Sequence, residues 1–264
     1  MIEIANHIAG DECYSQNQCS LPYTEHGSTV LRNVVKAAFV NSVGRLPLST
    51  RPFQKLGCWI RFSRWCITAG RTAGKFRAFP DAHVVKRERL YEDIVRRERL
   101  DNESIDFIEF GVFRGESITR WCQLLRHSQT RLVGFDTFTG LPEQWLANPA
   151  GTFNTQGKPP TIEDPRCSFH IGLFQDTLPV FLASFQRQQR LILHLDADLY
   201  YSTCYALCSM GNLLHPGDLL FFDEFSSPTH EFRAFEEFLQ LYRFNHELLG
   251  AVNNFTQVCV RLTR

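Results

Sequence analysis

From about residue 85 to the C-terminus, short apolar runs alternate with helix-length segments, and four of the runs break off at carboxylates. IDFIEF (105–110), RLVGFD (131–136), SFHIG (168–172), RLILHLDAD (190–198) and LLFFDEF (219–225) read as strands. KRERLYEDIVRRERL (86–100), GESITRWCQLLRHS (115–128), DTLPVFLASFQRQQ (176–189), STCYALCSMGNLL (202–214) and HEFRAFEEFLQLYRF (230–244) read as helices. HELLGAV and TQVCVRLT, joined by NNF, close the chain as a hairpin. Strands this apolar, separated by helices, require a parallel sheet covered on both faces, an α/β fold. The 264 residues suit one large domain, or one domain with an appended arm.

The expected division is an N-terminal, basic, helical arm or lid over residues 1–84 and a catalytic domain over 85–264. Between Arg32 and Arg87 the chain has twelve Lys or Arg and one acid, Asp81, interleaved with Trp59, Phe62, Trp65, Phe76 and Phe79. Such a segment either packs on the main domain with its cations in water or meets an anionic membrane surface; the packed arm is favoured. Residues 1–28 are polar and aperiodic and are expected to be loop.

Over the whole chain 28 basic residues balance 28 acidic ones, which speaks against a dedicated nucleic-acid binder. No run approaches the ~20 apolar residues that span a bilayer, and the start lacks a secretory signal pattern, so a cytoplasmic protein is expected. Nine cysteines without a CxxC pair predict buried thiols, not disulfides or a zinc site.

In an open parallel sheet, ligands bind beyond the carboxyl ends of the strands. Those ends carry Glu109, Asp136, Asp196 with Asp198, and Asp223 with Glu224. Negative charge gathered along one edge is self-repelling, and cations or hydroxyl-rich ligands relieve it. The turn Glu109-Phe-Gly111-Val-Phe-Arg-Gly115-Glu-Ser117 permits close backbone approach but is not a GxGxxG pyrophosphate loop. Asp136 could accept both hydroxyls of a ribose or cap the following turn, and Phe138 could lie against a flat ring or in the core. Asp196, Asp223 and Glu224 offer the oxygen donors that Mg²⁺ prefers.

These stretches together resemble one family. IEFGVFRGES (108–117), GFDTFTGLPE (134–143), DADLYYST (196–203), PGD (216–218) and FFDEF (221–225) are similar to class I S-adenosylmethionine-dependent methyltransferases, and more narrowly to the macrocin O-methyltransferase (TylF-like) group. The resemblance implies a Rossmann-like, seven-stranded, mostly parallel sheet with an antiparallel C-terminal hairpin. It implies metal-dependent methyl transfer from S-adenosylmethionine to a hydroxyl of a sugar or other hydroxylated natural product; separately, a homo-oligomer is expected. It also implies roles: Glu109, Gly111 and Ser117 around the methionine part of the cofactor, Asp136 and Phe138 at the adenosine, and Asp176 at the adenine end. Asp196, Asp223 and Glu224 would hold Mg²⁺, with Asp196 as the base ahead of His230 or His194. The competing reading is a metal-dependent glycosyltransferase using Asp196-x-Asp198 to hold a nucleotide sugar.

Overall fold

The computed structural model describes residues 26–43, 45, 49–72 and 85–264. Residues 1–25 and 73–84, where the polar start and part of the basic arm are expected, lie outside the described residues. The chain forms two compact units, Met1–Thr50 and Arg51–Arg264. The first contains helix α1 (His26–Val43). The second contains everything described below.

Its sheet has seven strands: β1 (Ile105–Phe110), β2 (Arg131–Asp136), β3 (Cys167–Ile171), β4 (Arg190–Leu195), β5 (Leu219–Phe222), β6 (Asn245–Val252) and β7 (Gln257–Thr263). Their order is β3-β2-β1-β4-β5-β7-β6. The first five are parallel, and β7 runs antiparallel to both β5 and β6, as the hairpin pattern requires. The order reverses between β1 and β4, where Glu109 lies across from His194 and Phe110 across from Leu195.

Among the described residues six helices cover the sheet: α2 (Arg51–Thr72), α3 (Glu88–Glu98), α4 (Glu116–Leu124), α5 (Phe174–Ser184), α6 (Tyr200–Met210) and α7 (Glu231–Tyr242). On one face Leu90, Tyr91, Ile94 and Val95 of α3 and Ile118 and Trp121 of α4 pack on Phe107, Ile192 and Phe221. On the other, α5, α6 and α7 bury Leu178, Leu207, Met210, Phe232, Phe235 and Phe238 against Phe110, Leu193 and Phe222. Both faces are apolar because both are covered, and this explains strands with continuous rather than alternating hydrophobicity.

Helix α2, within the expected N-terminal arm, falls in the second compact unit, Arg51–Arg264. Cys58, Phe62 and Ala69 recur at helical spacing and are buried. Phe62 meets Phe232 edge-on at 5.2 Å, and Trp65 meets Phe225 at 4.9 Å. Trp65 Nε1 donates to His246 Nε2 at 2.8 Å, and Arg61 pairs with Glu236 at 2.6 Å. Phe62 and Trp65 of the basic stretch thus anchor α2 to α7 and β6. The seven described cysteines are free thiols.

Two strands are shorter than their apolar patterns suggest. β4 stops at Leu195 and β5 at Phe222, leaving Asp196, Asp198, Asp223 and Glu224 on the turns beyond them. Asp198 adopts a left-handed conformation, φ 58°, which turns the chain from β4 into α6; Asp tolerates this better than most residues.

Candidate active site

The crevice beyond the strand ends is a cavity of about 620 Å³, within the range of cofactor and substrate pockets. Its floor comes from the β1 turn, Asp136 and the acidic turns after β4 and β5. Its outer wall includes Leu141, Trp145 and Phe153 from the long excursion between β2 and β3, and Tyr201 from α6. That excursion is irregular but firmly bonded: Leu141 and Gly151 exchange backbone bonds with Thr152 and Leu141, and Trp145 bridges Asn148.

Gly111 and Asp136 organise one side of the cavity. Gly111 has φ 89°, and a Cβ there would lie 1.9 Å from the carbonyl oxygen of Asp196, so only glycine lets the turns after β1 and β4 touch. Asp136 Oδ2 accepts the backbone N–H groups of Val112 and Phe113, both at 2.8 Å, and Oδ1 accepts that of Phe138 at 2.7 Å. One carboxylate therefore fastens the turns after β1 and β2 together.

The other expected cofactor residues stand elsewhere. Glu109 and Ser117 are buried below the cavity: Ser117 Oγ donates to Glu109 Oε1 at 2.5 Å, and the same oxygen lies 2.6 Å from His194 Nδ1. His194 Nε2 lies 3.1 Å from the Tyr91 hydroxyl. Glu109 thus ties β1, α4 and β4 together and does not line the cavity. Phe138 is fully buried, edge-on to Phe169 at 6.0 Å; the core reading of this ring replaces the adenosine-stacking one. Asp176 is exposed in the first turn of α5, while its neighbours Leu173, Phe174 and Gln175 line the cavity.

Asp196, Asp198, Asp223 and Glu224 all line the cavity. Burial, with Asp223 beside it, pushes the Asp196 carboxyl well above the usual carboxylate range. Burial and the neighbouring acids bring Asp198 to about 7, and burial with Asp223 brings Glu224 to about 7. The counter-charge is Arg87, just before α3: its Nη1 donates to Asp223 Oδ2 at 2.7 Å and to Asp196 Oδ2 at 3.0 Å. Burial disfavours the guanidinium charge, but Asp223, Tyr91 and Asp196 outweigh it and hold Arg87 above its ordinary range. Below them Glu231 is fully buried; its Oε2 accepts the backbone N–H of Glu224 at 2.9 Å, and burial raises its pKa strongly.

The expected catalytic histidine, His230, is not brought to the cavity. It precedes α7, where its Nδ1 accepts the Tyr200 backbone N–H at 3.3 Å, and burial lowers its pKa. The expected metal set has the right donor chemistry but not a free arrangement, because Arg87 holds two of its three carboxylates. Among the described residues no group of three His, Cys, Asp or Glu is placed to hold a metal ion. Arg87, Trp145, Phe153 and Tyr201 are cavity residues that the sequence reading missed. A lone tryptophan in the polar loop after TGLPE was the available signal for Trp145, whereas Arg87 is one cation among many.

A sheet ordered 3-2-1-4-5-7-6, with one antiparallel strand and a cavity at the β1/β4 reversal, defines the class I S-adenosylmethionine-dependent methyltransferase fold. Solved structures with this fold include CalS11, a calicheamicin methyltransferase (21% identity, TM-score 0.54, covering 96% of this chain and 99% of that one). Another is the O-methyltransferase NovP (21% identity, TM-score 0.53, covering 67% and 80%). No curated protein matches the chain. The family description Macrocin-O-methyltransferase (TylF) matches residues 80–263, and the chain belongs to that family. It is therefore an S-adenosylmethionine-dependent O-methyltransferase, which sets aside the glycosyltransferase reading. No described helix is long and apolar enough to cross a membrane.

Proposed function

We propose that this chain methylates a hydroxyl of a sugar or other hydroxylated natural product, in the cytoplasm, with Asp196 as the general base. Bound S-adenosylmethionine supplies an electrophilic methyl group on a sulfonium. The residues that would hold it are Gly111 and its turn, together with the Asp136 side of the cavity. The aromatic rings of Trp145, Phe153 and Tyr201 beside several carboxylates suit an acceptor that presents both apolar ring faces and hydroxyl groups.

One observation carries this reading: the Asp196 backbone abuts the Gly111 turn while its carboxyl, raised in pKa, faces the same cavity. A base of raised pKa at the boundary between the two ligands is suited to take a hydroxyl proton during transfer. Arg87 fixes one oxygen of that carboxylate and offsets its charge. No step is assigned to Mg²⁺, because Arg87 bridges the carboxylates it would use.

The test is calorimetric titration with S-adenosylhomocysteine alongside turnover on a panel of hydroxylated acceptors. Asp196→Asn should lower turnover by about 10³-fold, within the range for removing a general base, while cofactor-product affinity stays within about threefold. Collapse of that affinity in the variant would move Asp196 to the cofactor side and overturn the assignment.

A further inference from the structure

We infer that Arg87 and a divalent cation are mutually exclusive occupants of the Asp196–Asp223 pair, with Arg87 the resident one. The inference rests on the reading of this cavity as the methyl-transfer site, and it changes what a metal would have to do there. Arg87 Nη1 lies 3.0 Å from Asp196 Oδ2 and 2.7 Å from Asp223 Oδ2, so one nitrogen stands where a small cation bridging both oxygens would stand. Both carboxylates come from turns beyond neighbouring strands, which holds the oxygens in place whichever cation is present. Asp223 is anchored further, its backbone carbonyl accepting from Gln257 Nε2 at 3.1 Å.

The two cations differ in kind. A guanidinium is a tethered charge with directional N–H groups, whereas Mg²⁺ is a compact ion that demands near-octahedral oxygen ligands at ~2.1 Å. They cannot share the two oxygens, since two like charges would then sit within a few ångströms at low dielectric. Metal entry therefore requires Arg87 to leave, and Arg87 stands at the start of α3, whose Tyr91 lies one turn further on against His194. Exchange of cations at the acceptor would thus be coupled to the segment leading into α3.

The experiment is a Mn²⁺ titration followed by electron paramagnetic resonance on the full chain, comparing wild type, Arg87→Gln and Arg87→Lys. Arg87→Gln should bind Mn²⁺ at least tenfold more tightly than wild type, about 1.4 kcal/mol. Arg87→Lys, which keeps the charge, should stay within about threefold of wild type. Adding Asp223→Asn to Arg87→Gln should remove the gain. Equal or weaker Mn²⁺ binding in Arg87→Gln, or a gain that survives Asp223→Asn, overturns the inference. Should Arg87→Gln not fold, wild type labelled with ¹⁵N-arginine is titrated with Mg²⁺ while ion binding is followed by calorimetry: no binding, or binding in step with a shift of the Arg87 resonance, is expected, and binding at this site with the Arg87 resonance unmoved overturns exclusion. S-adenosylhomocysteine titration is read separately. Its failure in wild type defeats the methyltransferase site while leaving the cation comparison intact.

Discussion

The carboxylates after β1 and β2 and those after β4 and β5 share one sheet edge yet live under opposite conditions. Glu109 and Asp136 are occupied: the first by Ser117 and His194, the second by three backbone N–H groups. Asp196, Asp198, Asp223 and Glu224 press on one another, and Arg87 is the cation that bridges two of them. The first pair holds architecture together by accepting hydrogen bonds. The second group stores unfavourable electrostatics, and such a site is relieved when a ligand brings charge or hydroxyl groups. Equal residue types therefore carry unequal roles, and their partners tell them apart.

If that contrast is right, damage to the first region should cost stability and damage to the second should not. The largest effect is expected at Gly111→Ala, where a methyl group must displace the Asp196 carbonyl and the backbone must hold φ 89°. Chemical denaturation should show a loss of about 3 kcal/mol, since positive-φ strain alone costs about 1–3 kcal/mol. Asp136→Ala leaves three N–H groups without their acceptor and should cost about 2 kcal/mol by the same measurement. A variant as stable as wild type would break the comparison on its structural side.

Glu224→Gln should have the opposite sign. It removes a charge that burial and Asp223 both oppose, so the unfolding free energy at pH 8, read by chemical denaturation, should rise by up to ~1 kcal/mol after solvent screening. A loss of that size would show that Glu224 is structural after all.

The smallest effect lies away from the strand tips. Trp65 Nε1 donates to His246 Nε2, which can accept only when that nitrogen is unprotonated, and burial lowers the His246 pKa. A depressed histidine pKa gives stability that is present above the unfolded value of about 6.5 and is lost as pH falls below it. Melting between pH 7.5 and 5 should show that loss, under about 1 kcal/mol, and His246→Gln should flatten it. An unchanged slope would remove His246 from the account.

Much of the fold was legible because a doubly covered sheet writes itself as apolar runs and helix-length intervals. IDFIEF and RLILHL match β1 and β4 at their starts, and HELLGAV and TQVCVRLT match the hairpin to within a residue. The strand ends were overrun, because LDAD and DEF continue an apolar run while the backbone has already left the ladder. At the site, acids at strand tips were visible, but which of them already had partners was not. Ser117 bonding Glu109 depends on a helix docking eight residues later, and His194 reaches the same oxygen across the sheet. Phe138 has the same side chain whether it stacks on a ligand or fills the core; the left-handed turn at φ 56° decided for the core. Arg87 was hidden among the cations of its helix, since only the folded chain carries it to Asp196 and Asp223.

The excursion between β2 and β3 gives the enzyme an optical property. Of the four tryptophans, Trp145 is the one that lines the cavity, and its indole nitrogen has no hydrogen-bond partner within the protein. Trp59 and Trp65 belong to α2, and Trp121 is fully buried under α3. A purine or sugar entering the cavity therefore changes the surroundings of one emitter while the other three serve as an internal reference. Occupancy of this site should therefore be readable in the protein's own fluorescence, without a label.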